Sequence, residues 1–461
     1  MRSPTMNPIQ SIRGMKKEYK IEILFLLAIA VYYTMWARVQ PLGVSPDETM
    51  RYQVAQYIYE YGTLPRGDAP EILNKTWGIS YAFNPILAYM LCAVSMKLMS
   101  FFNDHAYALL MAARMVSVFF GVGTVFFAIR IAKQLFSRRE TWMFVLVAAF
   151  FPNMAFLSSY VNNDSLALFS GAMILYAWIR AVKGGWTWGN CTLLAVGIAI
   201  CTLSYYNAYG FILCSILLFV LTILFGEKKT WDVKELLQKG IFISAIVLVL
   251  AGWWFIRNYM IYDGDFLGRE AMHQCAELYA KDGYKPSQAS VPKDWGLTPF
   301  TMLFNKAPLG YMWIDLVLRS FIGTFGAMSI MQPWGIYAMW WAFLITGLLG
   351  TLLSLKELYG VREKGHWRAQ GWLNWCMLLA LIIPNILNVY YSYASDYQPQ
   401  GRYSIPMLLP LLYFVTLGYR NIIKKWVKSD HWSRIFYQHM GIFAVILGLY
   451  AHFAVFLPNY Y

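Results

Sequence analysis

Residues 21–48 read IEILFLLAIAVYYTMWARVQPLGVSPDE. The run from Ile21 to Arg38 is apolar almost throughout and approaches the ~20 residues needed to cross a bilayer. Arg13, Lys16, Lys17 and Lys20 precede it, and basic clusters stay on the cytoplasmic side, so this helix leads outward. It lacks a small-residue cleavage site and ends in Tyr, Trp and Arg38, the pattern of a retained first span. Just beyond it, Ser45-Pro46-Asp47-Glu48 is delivered to the outer membrane edge.

The rest of the 461 residues repeats the pattern, with 59% apolar and 13% charged residues and a mean hydropathy of +0.44. Soluble domains carry about 25% charge, so the composition excludes a soluble enzyme, a disordered tail and a disulfide scaffold. Further apolar runs fall at roughly 84–102, 108–130, 141–158, 164–182, 190–204, 207–225, 240–256, 335–355, 371–390, 403–420 and 438–457, judged by the same ~20-residue length. If 84–102 crossed, Arg130, Lys133, Arg138 and Arg139 would lie outside, and every later basic cluster with them. Treating 84–102, which begins at Pro85 and carries Lys97, as a segment at the outer surface restores them all. Cytoplasmic parts then hold 24 of the 38 Lys and Arg and 9 of the 24 acids. The formal charge of +14 is therefore a topology signal and an anionic-lipid contact rather than a nucleic-acid footprint.

The expected architecture is an all-α polytopic membrane protein of about eleven spans. A cytoplasmic tail over 1–20 leads into one transmembrane unit over 21–457, with long outer loops at 39–107 and 257–334 and an outer tail at 458–461. Six cysteines show no Cys-x-x-Cys or Cys/His spacing and six histidines are scattered, so neither a zinc site nor a His-based nucleophile is expected. There is no phosphate-binding glycine loop or dinucleotide fingerprint. No inverted pair of broken helices suggests a secondary transporter.

Four constellations converge on the outer face. Asp47 and Glu48 read either as a helix start capped by Ser45 with Pro46 in the first turn, or as a carboxylate whose partial desolvation raises its pKa for proton abstraction. Asp164, in Asn162-Asn163-Asp164-Ser165, is a helix cap or a second acid of the same site. Arg257, where span 7 emerges in Trp253-Trp254-Phe255-Ile256-Arg257, either snorkels to lipid or binds a phosphate. Gln400-Gly401-Arg402-Tyr403 mixes amide, glycine and guanidinium; Arg402 would bind phosphate through its donor fork, and Gly401 would let a ligand approach the backbone. Arg114 is a further phosphate candidate. Asp47, Glu48 and Asp164 supply hard oxygens that suit a divalent ion, Mg or Mn.

Taken in order, Pro46-Asp47-Glu48, Asn84-Pro85-Ile86-Leu87, Ala113-Arg114, Asp164, Trp254-Phe255-Ile256-Arg257-Asn258 and Gln400-Gly401-Arg402-Tyr403 resemble the polytopic GT-C glycosyltransferases. The likeness is to bacterial members akin to protein O-mannosyltransferases and the lipid A aminoarabinose transferase. It implies a GT-C-like bundle with an outer juxtamembrane layer, an acidic motif in the first outer loop acting as base, a polyprenyl-phosphate-sugar donor and inversion at the anomeric carbon. Asp47, Glu48 and Asp164 would be the catalytic set, with Arg402, Arg257, Arg114 and Gln400 binding the donor phosphate. Members usually carry His-Pro-Pro-Leu where this chain has Asn84-Pro85-Ile86-Leu87, and no separate C-terminal soluble domain is expected. The reading is an inverting transferase on the outer face of a bacterial cytoplasmic membrane, acting on a glycan, lipid or protein acceptor. The alternatives are a lipid-linked glycan flippase or transporter, and a non-catalytic scaffold of an envelope-polymer assembly complex.

Overall fold

The computed structural model describes residues 8–225, 232–363, 366–427 and 429–460. The first seven residues of the expected N-terminal tail and Tyr461 of the expected outer tail lie outside them. From Pro8 onward the tail is already helical, continuous with the first span.

Helices dominate: α1 (Pro8–Val39), α2 (Glu48–Tyr61), α3 (Leu87–Ser100), α4 (Ala106–Leu135), α5 (Arg138–Phe150), α6 (Pro152–Leu157), α7 (Asp164–Gly184), α8 (Trp188–Thr202) and α9 (Gly210–Leu224). They continue as α10 (Val233–Ile261), α11 (Arg269–Tyr279), α12 (Pro299–Phe304), α13 (Trp313–Gly323), α14 (Trp334–Thr351), α15 (Leu355–Tyr359), α16 (Ala369–Ala394), α17 (Leu408–Trp426) and α18 (Asp430–Tyr450). Among the described residues nine helical segments are long and apolar enough to span a membrane, and α8 is a shorter apolar helix. The run expected over 141–158 is helical but broken into α5 and α6 at Phe151, because Pro152 has no N–H to continue the ladder. Extended pairing among the described residues is confined to a two-residue ribbon, Arg362–Glu363 with His366–Trp367, and one bridge between Phe325 and Ile330.

Polar cross-links sort the helix ends into two sets. At one end Lys133 meets Glu18 at 3.5 Å, Arg130 pairs with Glu22, Arg139 meets Asp430 at 2.7 Å and Arg420 meets Glu140 at 2.9 Å. This is the end that carries the basic clusters. At the other end Arg114 donates to the carbonyls of Ala37 and Gln40 at the exit of α1, and Asn207 donates to the carbonyl of Tyr403. The last turns after α18 return there too, where Phe456 stacks on Trp36.

The position of α3 follows from the same frame. Ser95 donates to the Ala112 carbonyl at 2.7 Å and Cys92 to that of Ala113 at 3.4 Å, so α3 lies beside the opening turns of α4. From Arg114 to Arg130 along α4 is roughly 24 Å at ~1.5 Å per residue. With 14 residues, α3 does not reach the basic end, and it forms a layer at the other one with α2.

The bundle is closed by close helix approaches. Where α14 crosses α17, a Cβ on Gly418 would sit 1.7 Å from the Gly347 carbonyl oxygen. Only glycine allows that contact, the small-residue packing that lets helices meet where lipid offers no hydrophobic drive.

Candidate active site

The acidic motif departs from a capped helix start. Helix α2 begins at Glu48, its N-cap is Asp47 at φ 59°, and no side chain caps it. Ser45 instead hydrogen-bonds Gln40, and Pro46 stays outside the helix. A left-handed non-glycine residue is uncommon and costs energy, although Asp tolerates it better than most. The turn sends the two neighbouring carboxylates to different places.

Glu48 points into the protein. Its oxygens accept from Nε and Nη2 of Arg114, both at 2.7 Å, and one also accepts from the Val161 N–H at 3.1 Å. Arg114 spends its remaining donors on the carbonyls of Ala37, Gln40 and Pro41. Both side chains are fully buried. The geometry therefore corrects the reading of Arg114 as a phosphate ligand and of Glu48 as a group facing substrate: together they clamp the end of α1 to α2 and α4. Removing one partner of a buried pair costs about 3–5 kcal/mol, so Arg114→Met is expected to lower the thermal unfolding midpoint sharply and to reduce the folded yield. A folded Arg114→Met of unchanged midpoint that had lost phosphate binding would restore the ligand role.

Asp47 points the other way, into a cavity of about 410 Å³ that it lines with Trp77, Tyr81, Tyr206, Arg269, Asp396 and Tyr403, among others. Its Oδ2 receives Nη2 of Arg402 at 2.8 Å and lies 3.7 Å from Nη2 of Arg51. Arg51 reaches past it to Oδ2 of Asp164 at 3.1 Å, with the Tyr81 ring centred 4.7 Å away. The expectation that desolvation lifts the Asp47 pKa is overturned. Burial does push the carboxyl up, but the charges of Arg402 and Arg51, with hydrogen bonds from Arg402 and Tyr81, hold it down at about 2.

Arg402 sits in the tight turn Gly401–Met407 that opens α17. Gly401 is needed there for packing rather than for ligand access: a Cβ would lie 2.1 Å from the Phe321 nitrogen of α13, and its N–H donates to Ser320 at 2.7 Å. Nε and Nη1 of Arg402, and Nε and Nη2 of Arg51, are buried with no hydrogen-bond acceptor among the described residues. Buried guanidinium donors without a protein acceptor mark a place suited to an anion. Gln400 bonds Gln398 at 3.3 Å and leaves its carbonyl oxygen unpaired.

Arg257 is placed elsewhere. It donates to the carbonyls of Leu64 and Pro65, at 3.3 and 2.8 Å, and stacks on Trp254, which pins the loop after α2 rather than lining the Asp47 cavity. The proposed metal set does not assemble either. Glu48 is taken by Arg114 while Asp47 and Asp164 share Arg51, and no three His, Cys, Asp or Glu side chains among the described residues are grouped to hold an ion.

Sequence reasoning passed over three members of the site. Arg51 lies one helical turn after Asp47, on the same face. Asp396, in the polar run after α16, lines the cavity with no basic partner at ion-pair distance among the described residues; burial pushes its carboxyl up, and Asp47 adds to that. Arg269 opens α11 over Tyr206.

Next to this polar cavity runs an apolar groove of about 450 Å³ along α16, lined by Pro299, Leu381, Ile382, Asn385, Ile386 and others, and Tyr390 belongs to both. A buried arginine pair beside Asp47, at a polar cavity that adjoins an apolar groove, defines a class of site suited to an anion.

Comparisons with known proteins agree with that class at the level of fold. Residues 84–254 match the family model of dolichyl-phosphate-mannose-protein mannosyltransferase. The structure is similar to the oligosaccharyltransferase of Archaeoglobus fulgidus, with a TM-score of 0.55 and 13% identity over 95% of this chain and 55% of that one. The oligosaccharyltransferase AglB of the same archaeon, in complex with an inhibitory peptide and a dolichol-phosphate, gives 0.55 and 11% over 94% and 56%. ArnT from Cupriavidus metallidurans bound to undecaprenyl phosphate gives 0.52 and 14% over 93% and 70%. The chain thus spans little more than half the length of the archaeal enzyme. No curated protein sequence matches. The protein has the GT-C-like membrane fold of these glycosyltransferases.

Proposed function

We propose that this protein is an inverting glycosyltransferase that moves a sugar from a polyprenyl-phosphate donor to a glycan, lipid or protein acceptor at the outer face of a bacterial cytoplasmic membrane. The observation that carries the reading is the Asp47–Arg402 pair, set at the head of a polar cavity that adjoins an apolar groove. The groove accepts the prenyl chain. The cavity takes the phosphate and sugar, with tyrosines to cover the ring.

The chemistry follows from the pairing. The donor phosphate, a diester with one negative charge, competes with Asp47 for Arg402, and the second charge that develops as the sugar–phosphate bond breaks draws the guanidinium toward it. Loss of that neighbour returns the Asp47 carboxyl toward its ordinary pKa, which makes it a better base. Asp47 then takes the proton of the acceptor hydroxyl as its oxygen attacks the anomeric carbon, and the sugar–phosphate bond breaks on the opposite side. Arg402 and Arg51 balance the charge growing on the departing phosphate. No nucleotide is needed.

Mass spectrometry of envelope glycans and lipid-linked sugars in a deletion strain tests the reading. Loss of one sugar from a glycan, lipid or protein, with build-up of its polyprenyl-phosphate form, is the expected result. Unchanged glycans with a lipid-linked sugar trapped on the cytoplasmic side would favour a flippase. Orientation has its own check: in a cysteine-depleted protein, single cysteines at positions 103 and 460 are expected to label from outside, and one at 137 from inside only. External labelling at 137 would reverse the topology.

A further inference from the structure

Two carboxylates at the head of a membrane cavity suggest an ion between them. The space between them is already filled. Arg51 presents Nη1 to Asp164 at 3.1 Å and Nη2 to Asp47 at 3.7 Å, and Arg402 takes the same Asp47 oxygen at 2.8 Å. We propose that Arg51 is the built-in cation of this site, holding Asp47 and Asp164 in the arrangement a divalent ion would otherwise impose, so that the site works without a metal.

Charge and packing support this. Two arginines and two carboxylates balance; an added divalent ion would leave two uncompensated positive charges beside buried guanidinium groups, where the low dielectric makes repulsion severe. Hard cations also need about six oxygen ligands at roughly 2.0–2.6 Å. Glu48 cannot contribute, since Arg114 and the Val161 N–H occupy its oxygens. Nor can Arg51 readily swing aside. Its side chain is wholly buried, Tyr81 covers it, and it springs from α2 one turn after Asp47. Asp164, almost as buried, has no other cationic partner among the described residues. A guanidinium in this place does what an ion would do for the carboxylates, with Nη1 on Asp164 and Nη2 toward Asp47. Arg51 is thus a positioning residue for Asp47.

Removing Arg51 should turn the site into a metal site. Asp47, Asp164 and Arg402 would then sum to −1, with Asp164 uncompensated. The experiment is Mn²⁺ titration of the purified full-length protein followed by electron paramagnetic resonance, which reads binding rather than turnover and so stands apart from the transferase reading. The parent protein is expected to hold no Mn²⁺ that Asp47→Asn removes. Arg51→Ala is expected to gain one Mn²⁺ per chain, at least about tenfold tighter than the parent's nonspecific uptake, and Asp164→Asn in that background to abolish it. Arg51→Lys keeps the charge and should stay metal-free. Stoichiometric Mn²⁺ in the parent that is lost on Asp47→Asn would overturn the proposal, as would a folded Arg51→Ala that gains no site. If Arg51→Ala does not fold, the parent titration against Asp47→Asn decides.

Discussion

Asp47→Asn is expected to lower the transfer rate by about 10²–10⁴-fold, the usual contribution of a positioned general base, while donor binding changes little in the folded protein. The substitution keeps the shape of the side chain and removes its charge and proton affinity. It also releases Arg402 from its ion pair, so affinity for polyprenyl phosphate should hold or rise. Stability should fall in either case, since Arg402 and Arg51 both lose a counter-charge; a base is separated from a structural carboxylate by a folded variant that binds donor as the parent does and fails to turn it over. Asp396 offers a control from the same cavity. Its carboxyl sits above the ordinary range and has no arginine holding it. If Asp396→Asn stopped transfer while Asp47→Asn ran within a few-fold of the parent, the base would be Asp396.

Arg402 carries the second large effect. Its interaction with the phosphate strengthens as the sugar–phosphate bond breaks, so loss of the guanidinium should reduce kcat and donor affinity together. Arg402→Ala is expected to have almost no activity. Arg402→Lys should keep part of it, because an ammonium retains the charge but lacks the fork. Initial rates across a range of donor concentrations check this. An arginine that merely snorkels predicts normal kinetics in both variants with a lower stability in the alanine one, and that result would remove Arg402 from the site.

The sequence revealed the fold more fully than it revealed the site, and the difference has a physical cause. The layer formed by α3, at the end away from the basic clusters, was legible because Lys and Arg gather on one side of a bilayer, and one misplaced segment inverts every later cluster. Individual site residues obey no such global constraint. Asp47 and Glu48 are adjacent and chemically alike, yet the left-handed turn at Asp47 leaves one in the cavity and buries the other against Arg114. Arg114 and Arg402 both stand near the outer end of a helix. Nothing local says that the first meets a carboxylate and three carbonyls while the second keeps donors free. Gly401 illustrates the same limit: a glycine beside an arginine suits a phosphate loop, but here the close neighbour is the backbone of α13. Arg51 was visible as the residue one turn beyond Asp47. Its importance emerges only when α7 brings Asp164 to its other side.

The pairing of Asp47 with Arg402 also bears on pH. Asp47 is ionised down to about 2 in the unliganded protein, so its contribution to stability is present above the unfolded carboxylate pKa of ~3.9 and fades only as pH falls from there toward 2. Unfolding midpoints between pH 5 and 8 should therefore be insensitive to Asp47→Asn through titration, whatever the offset between the two proteins.

The central claim is that this site breaks the sugar–phosphate bond of a lipid-linked donor. Purified protein in liposomes, given the lipid extract and envelope material of its own host, should release polyprenyl phosphate from polyprenyl-phosphate sugar, followed by liquid chromatography and mass spectrometry. The account predicts release by the parent protein, and release slowed by about 10²-fold or more by Asp47→Asn and by Arg402→Ala. Equal release by parent and both variants, or intact donor with the parent, would contradict it.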